Sequence, residues 1–149
     1  MFPTNIFADR VYEQMLCKNY TVKSLSKQIG TSLSTIYDIF KCKYRQPSTE
    51  VFLSLLEVFD CSADYLLGFL EFPSEHVVYH PPLRTYGAKL RTLLQERGIT
   101  QTQFFTDLSI SSNLIYRWLN NQTIPSVEYL IKIADYFELS VDALIERTL

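Results

Sequence analysis

The sequence predicts an all-α fold made of two tandem five-helix domains. Two observations support this prediction: an internal repeat, and apolar residues spaced three and four positions apart within each copy, as on one face of a helix. Ile36 and Ile115, each followed by tyrosine, set the offset between the copies at 79 residues, whereas Pro47 and Pro125 set it at 78. The two offsets differ by one residue, and a loop tolerates the loss of one residue. The chain therefore carries the same unit of roughly 60–70 residues twice.

Each helix of the unit has a predicted boundary. The first helix ends at Asn19 or Gly98, residues that suit a left-handed C-cap. Hydroxyl side chains, which are favourable N-caps, mark the starts of the next four helices. We also expect a capping box between Thr100 and Gln103. The predicted starts of helices two to five are Thr21, Ser32, Ser48 and Ser62 in the first copy and Thr100, Ser111, Ser126 and Ser140 in the second.

Residues 71–83 are predicted to link domain 1, residues 1–70, to domain 2, residues 84–149. The prolines of this linker favour a stiff chain, and its aromatic residues are expected to pack on the domains. Residues 76–80 show the one alternation typical of a strand. The two histidines of this segment have no third metal ligand nearby in the sequence, so we predict a polar linker and no metal site.

Composition argues against several classes of protein. The chain is 47% hydrophobic, enough for a folded core, and its longest apolar stretch is far shorter than the ~20 residues of a membrane span. Three cysteines without a C-x-x-C pair, and an N-terminus unlike a signal peptide, favour reduced thiols and a cytoplasmic protein. No catalytic triad, paired carboxylates or Gly-rich phosphate loop stands out, so we predict no enzyme activity and no cofactor.

The overall charge does not favour a nucleic-acid partner. Fourteen Lys and Arg residues against sixteen Asp and Glu residues give a net charge of −2, and the pI is about 5.7. Domains that bind nucleic acids are usually strongly basic. A DNA-binding function would therefore depend on local charge and on motifs.

A short helix, a three-residue turn and a second short helix form the geometry that presents a helix to the DNA major groove. The second copy contains the motifs Gly98-Ile99-Thr100-Gln101, Ile115-Tyr116-Arg117-Trp118 and Pro125-Ser126. On these motifs and on the repeat, each copy resembles the phage repressor/Cro type of helix-turn-helix domain, also called the xenobiotic-response-element family. The resemblance covers about residues 8–68 and 86–147 and implies a transcriptional regulator that binds double-stranded DNA.

The resemblance also implies which residues touch DNA. In this family the third helix of the unit faces base edges, where Asn can pair with adenine and Arg with guanine. A basic loop directly after this helix in the first copy is a candidate phosphate clamp. The expected base contacts are Ser112, Asn113, Tyr116 and Arg117 in the second copy and Ser34, Tyr37 and Asp38 in the first. The expected phosphate contacts are Gln101, Asn120, Lys41, Lys43 and Arg45.

Neither copy keeps the whole family pattern. Val22 replaces the usual glutamine, and the loop after the third helix of the second copy is neutral. Asp38 would be repelled by phosphates unless its carboxylate accepts a hydrogen bond from cytosine N4. Phe105 stands where the family has a small residue, which predicts a shifted helix pair or an outward-facing ring. These departures favour an alternative function, in which a degenerate tandem helix-turn-helix acts as a protein-interaction module.

The sequence leaves two arrangements of the copies open. Two recognition helices act together on one face of DNA when they are held about 34 Å apart. One chain could meet this condition alone, as a pseudo-dimer that reads two different half-sites. Alternatively, one copy binds DNA while the other forms a homodimer. The sequence identifies no small-molecule effector.

Overall fold

The computed structural model describes residues 2–43, 46–73 and 77–148. Over these ranges the chain forms ten α-helices and no strand, which confirms the all-α prediction. No helix in this part of the chain is both long enough and apolar enough to cross a bilayer. The linker predicted at residues 71–83 falls between the fifth and sixth helices, and its exact boundaries stay predictions.

The repeat in the sequence is also a repeat in the structure, because each copy contributes five helices in the same order. The first copy consists of α1 (Thr4–Cys17), α2 (Val22–Ile29), α3 (Leu33–Phe40), α4 (Thr49–Phe59) and α5 (Ala63–Leu66). The second copy consists of α6 (Gly87–Arg97), α7 (Gln101–Leu108), α8 (Ser112–Leu119), α9 (Val127–Tyr136) and α10 (Val141–Leu144).

Hydroxyl side chains cap helices two to five in both copies, at all eight predicted positions. Each side chain accepts a hydrogen bond from the backbone N–H three residues later, which satisfies a donor that the helix itself leaves unpaired. Asn19 and Gly98, which follow the first helix of each copy, have φ of 62° and 64°. These left-handed residues confirm the predicted helix ends.

The predicted capping box of α7 is incomplete. Thr100 accepts from Gln103 N, but the Gln103 side chain donates to Asp107 Oδ1 at 2.5 Å and does not return to the cap. A long amide side chain finds a carboxylate one turn further along the helix, because residues four apart share a face. The complete box occurs in α2, where the short Ser24 hydroxyl accepts from Thr21 N at 2.8 Å.

Apolar side chains of both copies form one continuous buried cluster. Phe59 at the end of α4 and Phe137 directly after α9 are completely buried within it, and full burial of such a side chain stabilises the fold by about 1.5–3 kcal/mol. Ile39 of α3 and Trp118 of α8 are 4% and 1% exposed. The core therefore holds one face of α3 and of α8 and leaves their other faces free for function.

The linker runs beside the end of the chain. Backbone N–H groups of His80 and Leu83 donate to the carbonyls of residues 147 and 145, both at 2.9 Å. The strand predicted at residues 76–80 does not form over residues 77–80, and His76 lies outside the described residues. Pro81 and Pro82 follow this segment directly and have no backbone N–H with which to continue a sheet.

Candidate nucleic-acid interface

α2 and α3 form the helix-turn-helix of the first copy. Gly30, with φ of 72°, ends α2 in the left-handed conformation, and Ser32 caps α3 by accepting from Thr35 N at 3.2 Å. Leu25 of α2 and Ile36 of α3 are completely buried. The turn and these two anchors fix α3 with its opposite face toward solvent.

α7 and α8 repeat this arrangement with a different turn residue. Ser109 takes the place of Gly30 and is also left-handed, with φ of 53°. A residue with a side chain is disfavoured in this conformation, so the turn of the second copy carries strain that the first copy avoids. Ser111 caps α8, and Phe104 and Ile115 are buried on the inner faces of the two helices.

Phe105 changes how the second pair of helices meets. Its ring is half-buried and lines an open cleft between α7 and α8, together with Gln101 and Tyr116. Ser26, at the equivalent position of the first copy, is buried, and α2 packs more extensively on α3 than α7 does on α8. The ring therefore lies half-buried between the two helices and packs against the core. The looser packing of α7 on α8 agrees with the shifted helix pair, one of the two outcomes that the sequence predicted, and not with a ring that faces fully outward.

The solvent face of α8 carries all four side chains predicted for base contact. Ser112, Asn113, Tyr116 and Arg117 are exposed, and the Tyr116 ring is 57% exposed. Ser112 and Asn113 also line the cleft beside Gln101, so amide and hydroxyl groups of α7 and α8 are brought together. Hydrogen-bonding groups of this kind match base edges and phosphate oxygens.

The equivalent face of α3 is more apolar and partly neutralised. Ser34 is exposed, Tyr37 is 47% exposed, and Leu33 beside them is 44% exposed. Asp38 is half-buried, and its Oδ1 lies 3.8 Å from Lys43 Nζ. This ion pair joins a predicted base contact to a predicted phosphate contact, so the two charges of the first copy partly cancel.

The predicted phosphate contacts lie in different surroundings. Lys41 is exposed, with its Nζ 6.0 Å from the centre of the Tyr37 ring. Asn120 is exposed, and its Nδ2 donates to Tyr116 O at 2.9 Å. Gln101 is exposed at the first position of α7. Arg45 lies outside the described residues.

A brace between α6 and the end of α8 was not predicted from the sequence. Gly87 N donates to Asn121 Oδ1 at 2.9 Å, and Arg91 Nη2 donates to Leu119 O at 3.3 Å. A Cβ at Gly87 would lie 2.4 Å from Leu119 O, so only glycine fits beside this helix end. The signal in the sequence is that Gly87 replaces Ala8 of the first copy.

The described residues show no group of three or more His, Cys, Asp and Glu side chains arranged to hold a metal ion. The groups that α3 and α8 present are hydroxyls, amides, aromatic rings and a few charges. This chemistry suits recognition by hydrogen bonds and apolar contacts.

Two capped turns, each presenting a half-exposed second helix, define a tandem helix-turn-helix protein. The helix-turn-helix family model matches residues 13–66 and 90–144, so it covers both copies and most of the chain. The chain therefore belongs to the Cro/C1-type helix-turn-helix family, a family of DNA-binding regulators, which confirms the resemblance. No curated protein sequence and no solved structure gives a significant match.

Proposed function

We propose that this protein is a sequence-specific transcriptional regulator that inserts α3, α8 or both into the major groove of duplex DNA. The observation that carries the proposal is the exposed row of Ser112, Asn113, Tyr116 and Arg117 on α8, opposite a face anchored in the core by Trp118. A helix held in this way can enter a groove about 12 Å wide without disturbing the domain.

Sequence preference comes mainly from α8. Arg117 has the geometry to donate two hydrogen bonds to guanine, and Asn113 can both donate to and accept from adenine. Each such pair discriminates against a wrong base by about 1–3 kcal/mol. Tyr116, between them on the helix, adds an apolar surface for a base or a sugar.

Affinity comes mainly from the loop after α3. Lys41 and Lys43 are exposed there, and Arg45 adds a third charge in the sequence, whereas the matching loop after α8 is neutral. Cations beside DNA release counterions when they meet phosphates, so the affinity that they supply falls steeply with salt. The first copy thus supplies most of the backbone contacts, and the second supplies most of the base contacts.

The experiment is fluorescence anisotropy of the full chain with mixed-sequence duplexes at two salt concentrations. We expect binding that weakens as salt rises, because phosphates are neutralised. Lys43→Ala should weaken binding to all sequences about equally and lower the salt slope by roughly one unit. Lys132→Ala, which removes the same charge from α9, is the matched control and should leave both quantities unchanged.

Two substitutions of Arg117 separate its contribution to sequence preference from the contribution of its charge to affinity. Arg117→Ala should lose the preference for a guanine, whereas Arg117→Lys keeps the charge and loses the paired hydrogen bonds. We therefore expect both variants to lose about 1–3 kcal/mol of discrimination and only the alanine variant to change the salt slope. Retention of full sequence preference by Arg117→Ala would contradict the role given to α8.

The ion pair between Asp38 and Lys43 favours a second candidate function, a protein-interaction module. An acidic side chain on α3 that neutralises the adjacent lysine reduces attraction to phosphates, and Leu33 and Tyr37 on the same helix offer apolar surface to a protein. Absence of binding to any duplex at low salt would support this alternative over DNA recognition.

A further inference from the structure

The two copies meet through an exchange of carboxylates between α5 and α10. Ala63 N donates to Asp142 Oδ1 at 2.7 Å, and the equivalent residue Val141 donates from its N to Asp64 Oδ1 at 3.1 Å. Asp64 N donates to Asp142 Oδ2 at 3.3 Å, and Asp142 N donates to Asp64 Oδ2 at 2.9 Å. Each contact has its counterpart with the copies interchanged, which is the property of a contact across a two-fold axis.

The segments that follow α3 and α8 also meet across the copies. Thr49 Oγ1 donates to Pro125 O at 2.7 Å, and Gln46 Oε1 accepts from Glu128 N at 2.9 Å. Val127, the counterpart of Thr49, is completely buried. These segments come after the candidate recognition helices in the chain, so the contact between the copies involves equivalent regions on the C-terminal side of α3 and of α8.

A buried arginine adds further hydrogen bonds between the two copies. Arg147 is 2% exposed, although it follows the last helix of the second copy. Its Nη2 donates to two carbonyls of the first copy, Leu56 O at 3.2 Å and Cys61 O at 3.0 Å. Ser62 Oγ adds a 2.6 Å bond to Asp142 Oδ2. The two copies therefore share a buried, hydrogen-bonded interface within one chain.

From this arrangement we infer that one chain occupies a complete operator of two unlike half-sites in inverted orientation, with α3 on one and α8 on the other. The inference rests on the proposed function, because it requires that the helices bind DNA. Two-fold related recognition helices match two half-sites that are inverted on duplex DNA. A local axis inside one chain supplies this relation without a second chain.

The half-sites must differ because the two helices do. Leu33 of α3 stands where α8 has Ser112, and Asp38 stands where α8 has Arg117. An exposed leucine favours the methyl group of thymine, whereas arginine favours guanine. The operator class is thus a non-palindromic pair, with a thymine-containing half for α3 and a guanine-containing half for α8.

The test begins with selection of binding sites for the full chain from a pool of random duplexes, followed by native mass spectrometry of the selected complex. We expect a two-part motif with inverted, unequal halves and one chain per duplex. A palindrome bound by two chains, or a motif with a single half, would overturn the inference while leaving the proposed function intact. No sequence-dependent binding would overturn both.

Matched variants then assign the halves. Arg117→Ala should relax sequence selection in one half-site alone, and Tyr37→Ala should relax it in the other. Each variant should bind the selected duplex about tenfold or more weakly than the natural chain does. Five added base pairs between the halves rotate one by roughly half a turn and should weaken binding by a similar factor. If both variants relax the same half, or if the spacer has no effect, the assignment of one half to each helix is wrong.

Discussion

The two copies keep the same scaffold and differ in the side chains that the scaffold presents. Caps at equivalent positions begin helices two to five in both, and the fourth helices bury equivalent phenylalanines, Phe59 and Phe137. Outward positions diverge: Asp38 stands opposite Arg117, and a basic loop stands opposite a neutral one. The difference shows that folding constraints act on the inner faces while each outer face is free to take one part of a shared task.

Divergence has also reached buried packing positions, both between the copies and within the second copy. Arg147 is buried against carbonyls of the first copy, whereas its counterpart Phe69 is 51% exposed. Gly87 is pressed against the end of α8, whereas its counterpart Ala8 is an ordinary buried helix residue. A repeat within one chain can assign a bond to one copy only, which identical chains in a symmetric dimer cannot do.

The largest effect is expected from Arg147→Ala. The substitution leaves the carbonyls of Leu56 and Cys61 without this donor and removes the cation 4.0 Å from the buried Asp142 carboxylate. Removing one partner from buried charge contacts of this kind typically lowers the free energy of unfolding by about 3–5 kcal/mol. Urea denaturation followed by circular dichroism should show this fall in the free energy of unfolding.

Arg84→Ala is the control for that prediction. Arg84 also joins the two parts of the chain, through Glu50 at 3.1 Å and Glu57 at 2.5 Å, but its side chain is 39% exposed. Exposed ion pairs contribute about 0–1 kcal/mol. Equal losses for the two variants would show that burial of Arg147 does not set its contribution.

The next largest effect is expected from Gly87→Ala, for which Ala8→Gly at the equivalent position of the first copy is the matched variant. Gly87→Ala places a Cβ 2.4 Å from Leu119 O and 2.6 Å from Asn121 Oδ1, so α6 must move away from the end of α8. We expect a loss of about 1–3 kcal/mol of stability from overpacking, and weaker DNA binding because α8 shifts. Ala8→Gly should cost about 1 kcal/mol and leave the second copy in place.

Thermal unfolding and binding of the selected duplex measure both variants. The prediction distinguishes strain from flexibility, since one substitution adds a methyl group and the other removes one. If Gly87→Ala is as stable as the natural chain, the close approach of α6 to α8 is not tight in solution.

Sequence reasoning located the elements because their signals are local. A hydroxyl at the start of helices two to five, a residue suited to a left-handed C-cap after the first helix of each copy and apolar periodicity are properties of neighbouring residues, and together they predicted five helices in each copy. The looser packing of α7 on α8 beside Phe105 was one of the two outcomes that the sequence left open. The expected base contacts of α3 and α8 came from the family resemblance, and all of them are exposed except Asp38, which is half-buried.

Contacts between the copies were beyond that reasoning because they depend on distant residues. Asp64 and Asp142 lie in the first turns of their own helices, where the helix dipole favours an acidic residue, yet each carboxylate accepts from the helix of the other copy, 77 to 79 residues away. The pair of Asp38 with Lys43 was missed for another reason: the two were assigned separate roles, and only side-chain geometry shows them 3.8 Å apart.

The carboxylate exchange should make stability depend weakly on pH. Burial, and after it the hydrogen bond with Asp142, raise the pKa of the Asp64 carboxyl to about 6. Because the folded protein then holds this proton more tightly than the unfolded chain, stability from Asp64 is lost as pH rises through 6. Lowering the pH from 7 to 5 should therefore add up to about 1 kcal/mol from this group.

Asp64→Asn isolates that contribution, since an amide does not titrate in this range. The difference in unfolding free energy between the natural chain and the variant should grow as the pH falls from 7 to 5. Carboxyl carbon NMR gives an independent reading, with a midpoint near 6 expected for Asp64 in the folded chain. A difference that does not change with pH, or a midpoint near 4, would contradict this account.

The smallest effect is expected from Asp38→Asn, which makes the first copy more like the second. The substitution removes a negative charge from the DNA-facing side of α3 and frees Lys43 from its 3.8 Å partner. An ion pair near the surface, with Lys43 exposed and Asp38 half-buried, is worth about 0–1 kcal/mol, so binding to mixed-sequence duplexes should tighten by a few-fold at low salt, with a steeper salt slope. The double variant Asp38→Asn with Lys43→Ala should lose the gain, because the freed lysine is its source. If the single variant instead binds more weakly, Asp38 contributes to recognition itself, as an acceptor for cytosine N4.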